Sequence, residues 1–304
     1  MSERQGHVAW GHVALIGCNT VWGVMAPFSK DVMNTGLISG WTLSGVRVVG
    51  GALVFWLLSL LLPKSWLPHE KVERKDMIQL FWASMLLMGL SMTLNIIGTR
   101  YTSPIDATVV CSITPVLTMI FAAVLIHDRI TWLKALGVAL GFAGVLAFIF
   151  SGQTGSAVQA TNPMLGNALC FLSQVCGALY MVLFGKVLAK YPVFTSMKWM
   201  FLMSAVVMLP FLVTSFAETQ WSALPWNGWM DIAFIVLIAS VLAYILLSYG
   251  QQRIKPTQVA MYNYLRPIAS AVLSILMGLA MLDAQTALYS VLILAGVYLV
   301  NLKK

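Results

Sequence analysis

The chain reads as an all-α membrane protein of ten transmembrane helices, laid out as two inverted five-helix repeats with both termini in the cytoplasm. Three observations predict this: a charge-poor apolar composition, a self-match at a constant offset, and a one-sided distribution of Lys and Arg. Charged residues make up 9% of the 304 and hydrophobic ones 60%, with a mean hydropathy of +0.86. Soluble domains carry roughly 25% charge, so too few polar groups are left here to cover a water-exposed surface. The self-match relates Gly98, Pro104, Pro115 and Ala143-Gly144-Val145 to Gly250, Pro256, Pro267 and Ala295-Gly296-Val297, each 152 residues on and without a gap. Ala135, Leu136 and Leu140 meet Ala287, Leu288 and Leu292 in the same register.

The spans follow from apolar runs between turn signals, since about 20 apolar residues cross a bilayer. The first, 9–29, continues the run Trp10–Phe28 and carries neither a basic leader nor a small-residue cleavage site, so it reads as an uncleaved helix. The second, 38–62, stops at Pro63-Lys64-Ser65. Charge-free Met77–Thr99 gives the third, 77–99, and Ala107–His127, punctuated by Pro115, gives the fourth, 103–126. Ala135–Gly185 is long enough for two, 132–150 and 164–189, broken at Ser151–Pro163. Trp199–Ala217 and Ile232–Gln252 supply 195–214 and 229–249. The ninth, 257–280, starts after Lys255-Pro256, and Ala284–Leu302 supplies the tenth, 285–302.

Orientation comes from the positive-inside rule. With the N-terminus inside, fourteen of the eighteen Lys and Arg residues fall on the cytoplasmic side, Lys30 and Arg100 fall outside, and Arg47 and Arg266 are left within spans. The net charge of +8 therefore anchors the protein to anionic lipid of the bilayer, and no nucleic-acid partner is expected. Five spans per half, 1–152 and 153–304, make the halves enter the membrane from opposite sides. Such repeats underlie alternating access in transporters, with the substrate held between them.

The site candidates are the polar groups that a bilayer tolerates only for a reason. An ionised residue at mid-membrane costs about 2.5–3.5 kcal/mol on insertion scales. Arg47 and Arg266 both sit there, and Arg does not escape by losing its proton. A carboxylate or phosphate held by two parallel N–H bonds is the functional reading; bonds to helix carbonyls are the structural one. Tyr262, Asn263 and Arg266 share one helix side by spacing, and Pro267 removes the donor that would have met the Asn263 carbonyl. Pro115 does the same beneath Cys111, beside Ser112 and Thr114. Asn19, Trp22, Ser91, Asn95, Gln174, Tyr180 and Tyr244 are further wall candidates, although packing between helices satisfies such groups equally well.

Acids are scarce at depth: only Asp106 lies inside a span, with Asp231 at the edge of another. Export or exchange of a small molecule is thus favoured over proton symport. The four cysteines form no CxxC, so neither disulfide nor metal is expected, and no cofactor. No HExxH, nucleophile elbow, Walker loop or paired buried carboxylates point to an enzyme. Gly137 and Gly141 form a GxxxG that allows close helix contact, within the monomer or between two copies in a homodimer.

Trp22-Gly23, Arg47, Pro115 with Asp128 thirteen residues on, and Gly144-Val145 resemble the drug/metabolite transporter superfamily, above all its EamA-type bacterial permeases. The resemblance implies two EamA repeats, a ten-helix inverted bundle in the bacterial cytoplasmic membrane and a central cavity. It also implies export or exchange of amino acids, related metabolites or toxic compounds. The sequence departs from the family pattern at Asp128, where Glu is usual, and around Cys176–Tyr180, which lacks the Trp of the first half. The other readings are an integral-membrane enzyme acting on a lipid-linked substrate, which needs reactive groups at one face, and a channel, which needs a continuous polar stripe.

Overall fold

A computed structural model describes residues 2–61, 70–102, 107, 110–150 and 161–276, and helical positions 288, 291, 292, 295, 296, 298 and 299 beyond them. Every regular element among these is helical. In chain order they are α1 (Ser2–Asn34), α2 (Gly40–Leu61), α3 (Arg74–Tyr101), α4 (Thr114–Leu125), α5 (Trp132–Phe150), α6 (Pro163–Leu183), α7 (Gly185–Lys190), α8 (Val193–Glu218), α9 (Trp226–Gln251), α10 (Pro256–Met261) and α11 (Leu265–Leu276).

Six of them, α1, α2, α3, α6, α8 and α9, are long and apolar enough to cross a membrane. The expected fourth and fifth spans fall on the shorter apolar helices Thr114–Leu125 and Trp132–Gly144. α10 and α11 occupy the expected ninth span as far as Leu276, and most of the tenth lies outside the described residues. Several boundaries differ from the sequence reading. α1 runs through Pro27 to Asn34, and the expected sixth span breaks at Phe184, whose backbone leaves the helical region at ψ 1°. α6 opens as its residues dictate: Pro163 sits in the first turn and the Asn162 side chain accepts from Leu165 N at 3.1 Å.

Two helices carry an internal change of winding. α3 is π-helical over Met85–Met92 and α9 over Phe234–Leu242, at overlapping positions of the 152-residue register. Each such stretch holds an extra residue in the helix and leaves carbonyls without their usual partner. Breaks also recur within the expected fourth and ninth spans. The chain turns at 112–113 before α4 restarts with Pro115, and a 3₁₀ turn, Tyr262–Tyr264, separates α10 from α11.

Packing repeats in the same way. α3 lies along α6 as α9 lies along α1, α4 packs on α6 as α11 packs on α1, and α2 pairs with α8. The sequence halves interlock, because each of these pairings joins one half to the other. Phe55 sits between Phe194 and Phe201 at 5.4 and 5.2 Å in the α2–α8 seam, in the offset geometry aromatic rings prefer. Gly51 makes this seam possible, since a Cβ there would lie 2.4 Å from the Phe201 ring. The glycines of α5 are used within the chain: Gly141 faces the Tyr264 ring, and Gly296 backs onto Gly137 O and Gly141 N.

Candidate substrate cavity

A polar cavity lies between the cluster α1, α9, α11 and the cluster α3, α4, α6, with α2 contributing one side. Of the residues singled out from the sequence, Trp22, Arg47, Ser91, Asn95, Thr114, Gln174, Tyr244, Asn263 and Arg266 all line it.

Arg47 enters from α2 and is 2% exposed. Its Nε donates to Ser240 Oγ at 2.9 Å and an Nη to Ala239 O at 3.4 Å. The same carbonyl accepts the Trp22 indole N–H at 2.9 Å. The π stretch of α9 explains why it is available: Ala243 N–H bonds to Ile238 O, five residues back, instead of closing the α-helical bond to Ala239. Arg266 stands with its Cζ 4.5 Å from the centre of the Trp22 ring and donates from Nε to Asn19 Oδ1 at 3.0 Å. The indole thus lies between the two guanidinium groups, its face to one and its N–H on a shared acceptor with the other. Gly23 lets α11 come this close, because a Cβ there would stand 2.6 Å from Arg266 O.

The opposite wall is a carboxamide and thiol network. Asn95 Nδ2 and Gln174 Nε2 each lie 3.1 Å from Cys111 Sγ, and Gln174 Oε1 is 2.7 Å from Thr114 Oγ1. Gln174 Nε2 also reaches Ser173 Oγ at 2.7 Å. The turn at 112–113 aims these groups inward, since it releases Cys111 O to Thr114 Oγ1 at 2.6 Å. Two lining residues carry a buried polar atom with no partner among the described residues: Asn263 Nδ2 and Ser29 Oγ. No Asp or Glu is among the described lining residues.

Three expected residues stand elsewhere. Asn19 is behind the wall, holding Arg266. Tyr180 is fully buried and donates to Gln251 Oε1 at 3.2 Å. Tyr262 pairs with His12 Nδ1 instead of facing the cavity. Its separation from Asn263 and Arg266 follows from the 3₁₀ turn, which advances each residue by about 120° and undoes the shared α-helical face. In that turn Leu265 N–H is directed at both the Tyr262 and Asn263 carbonyls, so Asn263 O is not left free. Reasoning from the sequence missed Ser29, Ser173 and Ser240. The last lies in a run of apolar residues, and only its i, i+4 spacing to Tyr244 hints at a role. Asp106 lies outside the described residues.

All four cysteines are free and buried, and no group of metal-ligating side chains occurs among the described residues. The described ion pairs lie apart from the cavity, at Glu73, Asp76 and Lys190 and at Asp128 with Lys134 and Lys255.

Long apolar helices around a polar interior define a multi-pass helical membrane protein. The sequence profile of the EamA-like transporter family matches residues 9–150 and again 164–302, and the chain belongs to that family. It is 26% identical over 182 residues to the uncharacterized transporter YyaM of Bacillus subtilis (strain 168), a match covering 60% of this chain and 59% of that relative. An uncharacterized transporter of Archaeoglobus fulgidus is 27% identical over 255 residues, 83% of each chain. The uncharacterized transporter YvbV of B. subtilis is 25% identical over 292 residues, 93% of this chain and 88% of the relative. A solved structure described as "Crystal structure of protein" superposes with a TM-score of 0.71 at 17% identity, covering 98% of this chain and 96% of the other, which shows the shared fold.

Proposed function

We propose that this membrane transporter carries a small polar metabolite, an amino acid or related organic compound, across the bacterial cytoplasmic membrane by alternating access. Export or exchange is the direction the scarcity of buried acids favours. The observation that carries the reading is the pair Arg47 and Arg266 in one cavity without a described acidic neighbour. Such charges are costly at membrane depth, and a ligand anion offsets that cost.

The repeat pattern supports the mechanism. Residues 1–152 and 153–304 form the two units of opposite orientation, with both termini cytoplasmic. The winding changes in α3 and α9, the breaks before α4 and α11, and the matched helix pairings all fit a pseudo-two-fold relation. Under it, the two three-helix clusters beside the cavity are counterparts that exchange roles as the pocket is exposed to one face and then the other.

A ligand is found by screening the purified chain against metabolites by thermal shift, because binding raises apparent stability. Uptake of that ligand into proteoliposomes then measures transport. Arg266→Ala removes one partner of a desolvated charge pair, which costs about 2–5 kcal/mol. Uptake is expected to fall by about 30-fold or more at equal insertion; undiminished uptake rejects the assignment.

A further inference from the structure

We infer that the cavity selects a compact dianion, a dicarboxylate or a phosphate monoester, over a zwitterion, which narrows the proposed cargo to the related organic compounds and sets amino acids of zero net charge aside. This rests on the cavity being the substrate site. The argument is an account of donors and acceptors. Two fixed positive charges face the space, from Arg47 and Arg266, and both are held by neutral groups only: Ser240 Oγ and Ala239 O for one, Asn19 Oδ1 and the Trp22 face for the other.

The acceptors beside the two guanidinium groups are already engaged by the protein's own donors. Asn19 Oδ1 takes Arg266, and Ala239 O takes both Trp22 and Arg47. Among the lining residues, Asn263 Nδ2 is a donor without a partner among the described residues, in a side chain only 2% exposed, and the Ser29 hydroxyl is likewise unpartnered. A ligand ammonium group needs acceptors or an open aromatic face, and the Trp22 face is covered by Arg266. A ligand with two anionic groups needs donors at two points, and both guanidinium groups line one cavity with the Trp22 indole between them. Each anionic group then gains charge-assisted bonds that a neutral or zwitterionic analogue forfeits at one end.

The test is binding of a graded set to the purified full-length protein by thermal shift and calorimetry: succinate, glycerol 3-phosphate, the monoanion succinamate, the zwitterion β-alanine and neutral succinamide. Succinate or glycerol 3-phosphate is expected to bind at least tenfold more tightly than succinamate and β-alanine, with succinamide weakest. Which of the two leads separates carboxylate from phosphate selectivity. Arg266→Gln, at a half-buried position, is expected to bring succinate down to the level of succinamate. Arg47→Gln does the same, and Arg47→Lys keeps part of the preference should the Gln variant fold poorly. Equal affinities across the set, tighter binding of β-alanine, or no binding of either dianion overturns the inference. If the dianions bind in this order but none crosses proteoliposomes carrying the wild-type chain, the preference stands and the carrier reading falls.

Discussion

At the scale of single residues, the cavity depends on how closely α11 approaches α1. Gly23 stands against Arg266 O at 2.6 Å, Ala269 Cβ at 2.8 Å and Arg266 Cα at 3.1 Å, measured from the Cβ it lacks. Backbone on the receiving side yields little, so Gly23→Ala forces the helices apart and costs about 1–3 kcal/mol as overpacking. The same shift lifts Arg266 off Trp22 and Asn19, so ligand affinity is expected to fall along with the melting temperature. Gly89→Ala is the control: its added Cβ meets nothing nearer than 3.7 Å, so melting and affinity should stay within error of wild type. The site was partly legible from such residues alone. Arg47, Arg266, Asn95 and Gln174 stand out because charge and carboxamide are costly in a bilayer. Ser29 and the Ala239 carbonyl did not stand out, since serine is common in spans and a freed carbonyl leaves no trace in the sequence. Tyr262 was assigned to the wrong surface because spacing arguments assume α-helical winding.

At the scale of elements, the π stretches are the feature the sequence concealed. Met85–Met92 and Phe234–Leu242 are ordinary apolar helix by composition, and the additional residue shows only in the structure. Deleting Leu237, an exposed residue within the second stretch, removes the extra residue and restores α winding, so the Ala239 carbonyl is closed by the Ala243 N–H while the residues beyond keep their faces. Trp22 and Arg47 then lose their shared acceptor, and uptake is expected to fall while the protein still inserts; full uptake by the deletion variant contradicts a role for the π segment. A second prediction concerns the end of the bundle where α3 begins. Lys190 Nζ bridges Asp76 Oδ2 at 2.6 Å and Glu73 Oε1 at 2.8 Å, and Tyr191 OH donates to Asp76 Oδ2 at 2.7 Å. Hydrogen bonds from Lys190, and then Lys75, hold the Glu73 carboxyl below its ordinary value of 4.5. A depressed folded-state pKa adds stability above that ordinary value and loses it as pH falls through the folded one. Melting temperature is therefore expected to drop as pH goes from 5 toward 3, with a shallower slope in Glu73→Gln; an unchanged slope removes Glu73 from the account.

At the scale of the whole molecule, composition and the 152-residue register made helical class and membrane residence readable, because hydropathy and helix length are properties of long stretches. The interlocking of the halves was not readable, since contacts between distant helices depend on shape complementarity at positions such as Gly51 and Phe201. That interlocking places two sets of closing contacts at opposite ends of the cavity clusters. At one end Lys30 Nζ of α1 bonds to the Arg100 and Thr102 carbonyls past α3, at 2.7 and 3.0 Å. At the other, Gln252 Nε2 after α9 bonds to the Leu188 and Tyr191 carbonyls past α6, both at 2.8 Å. These are corresponding helix pairs in the two halves, which is the arrangement a carrier needs if one end opens as the other shuts.

The most direct measurement is pulsed electron paramagnetic resonance on the full chain in nanodiscs, with spin labels at Asn34 and Arg100 for one end and at Lys186 and Lys255 for the other. Adding a transported ligand in excess is expected to lengthen one of these distances and shorten the other. Two distances that lengthen together, or that both stay fixed while the same protein exchanges ligand in vesicles, contradict alternating access to this cavity.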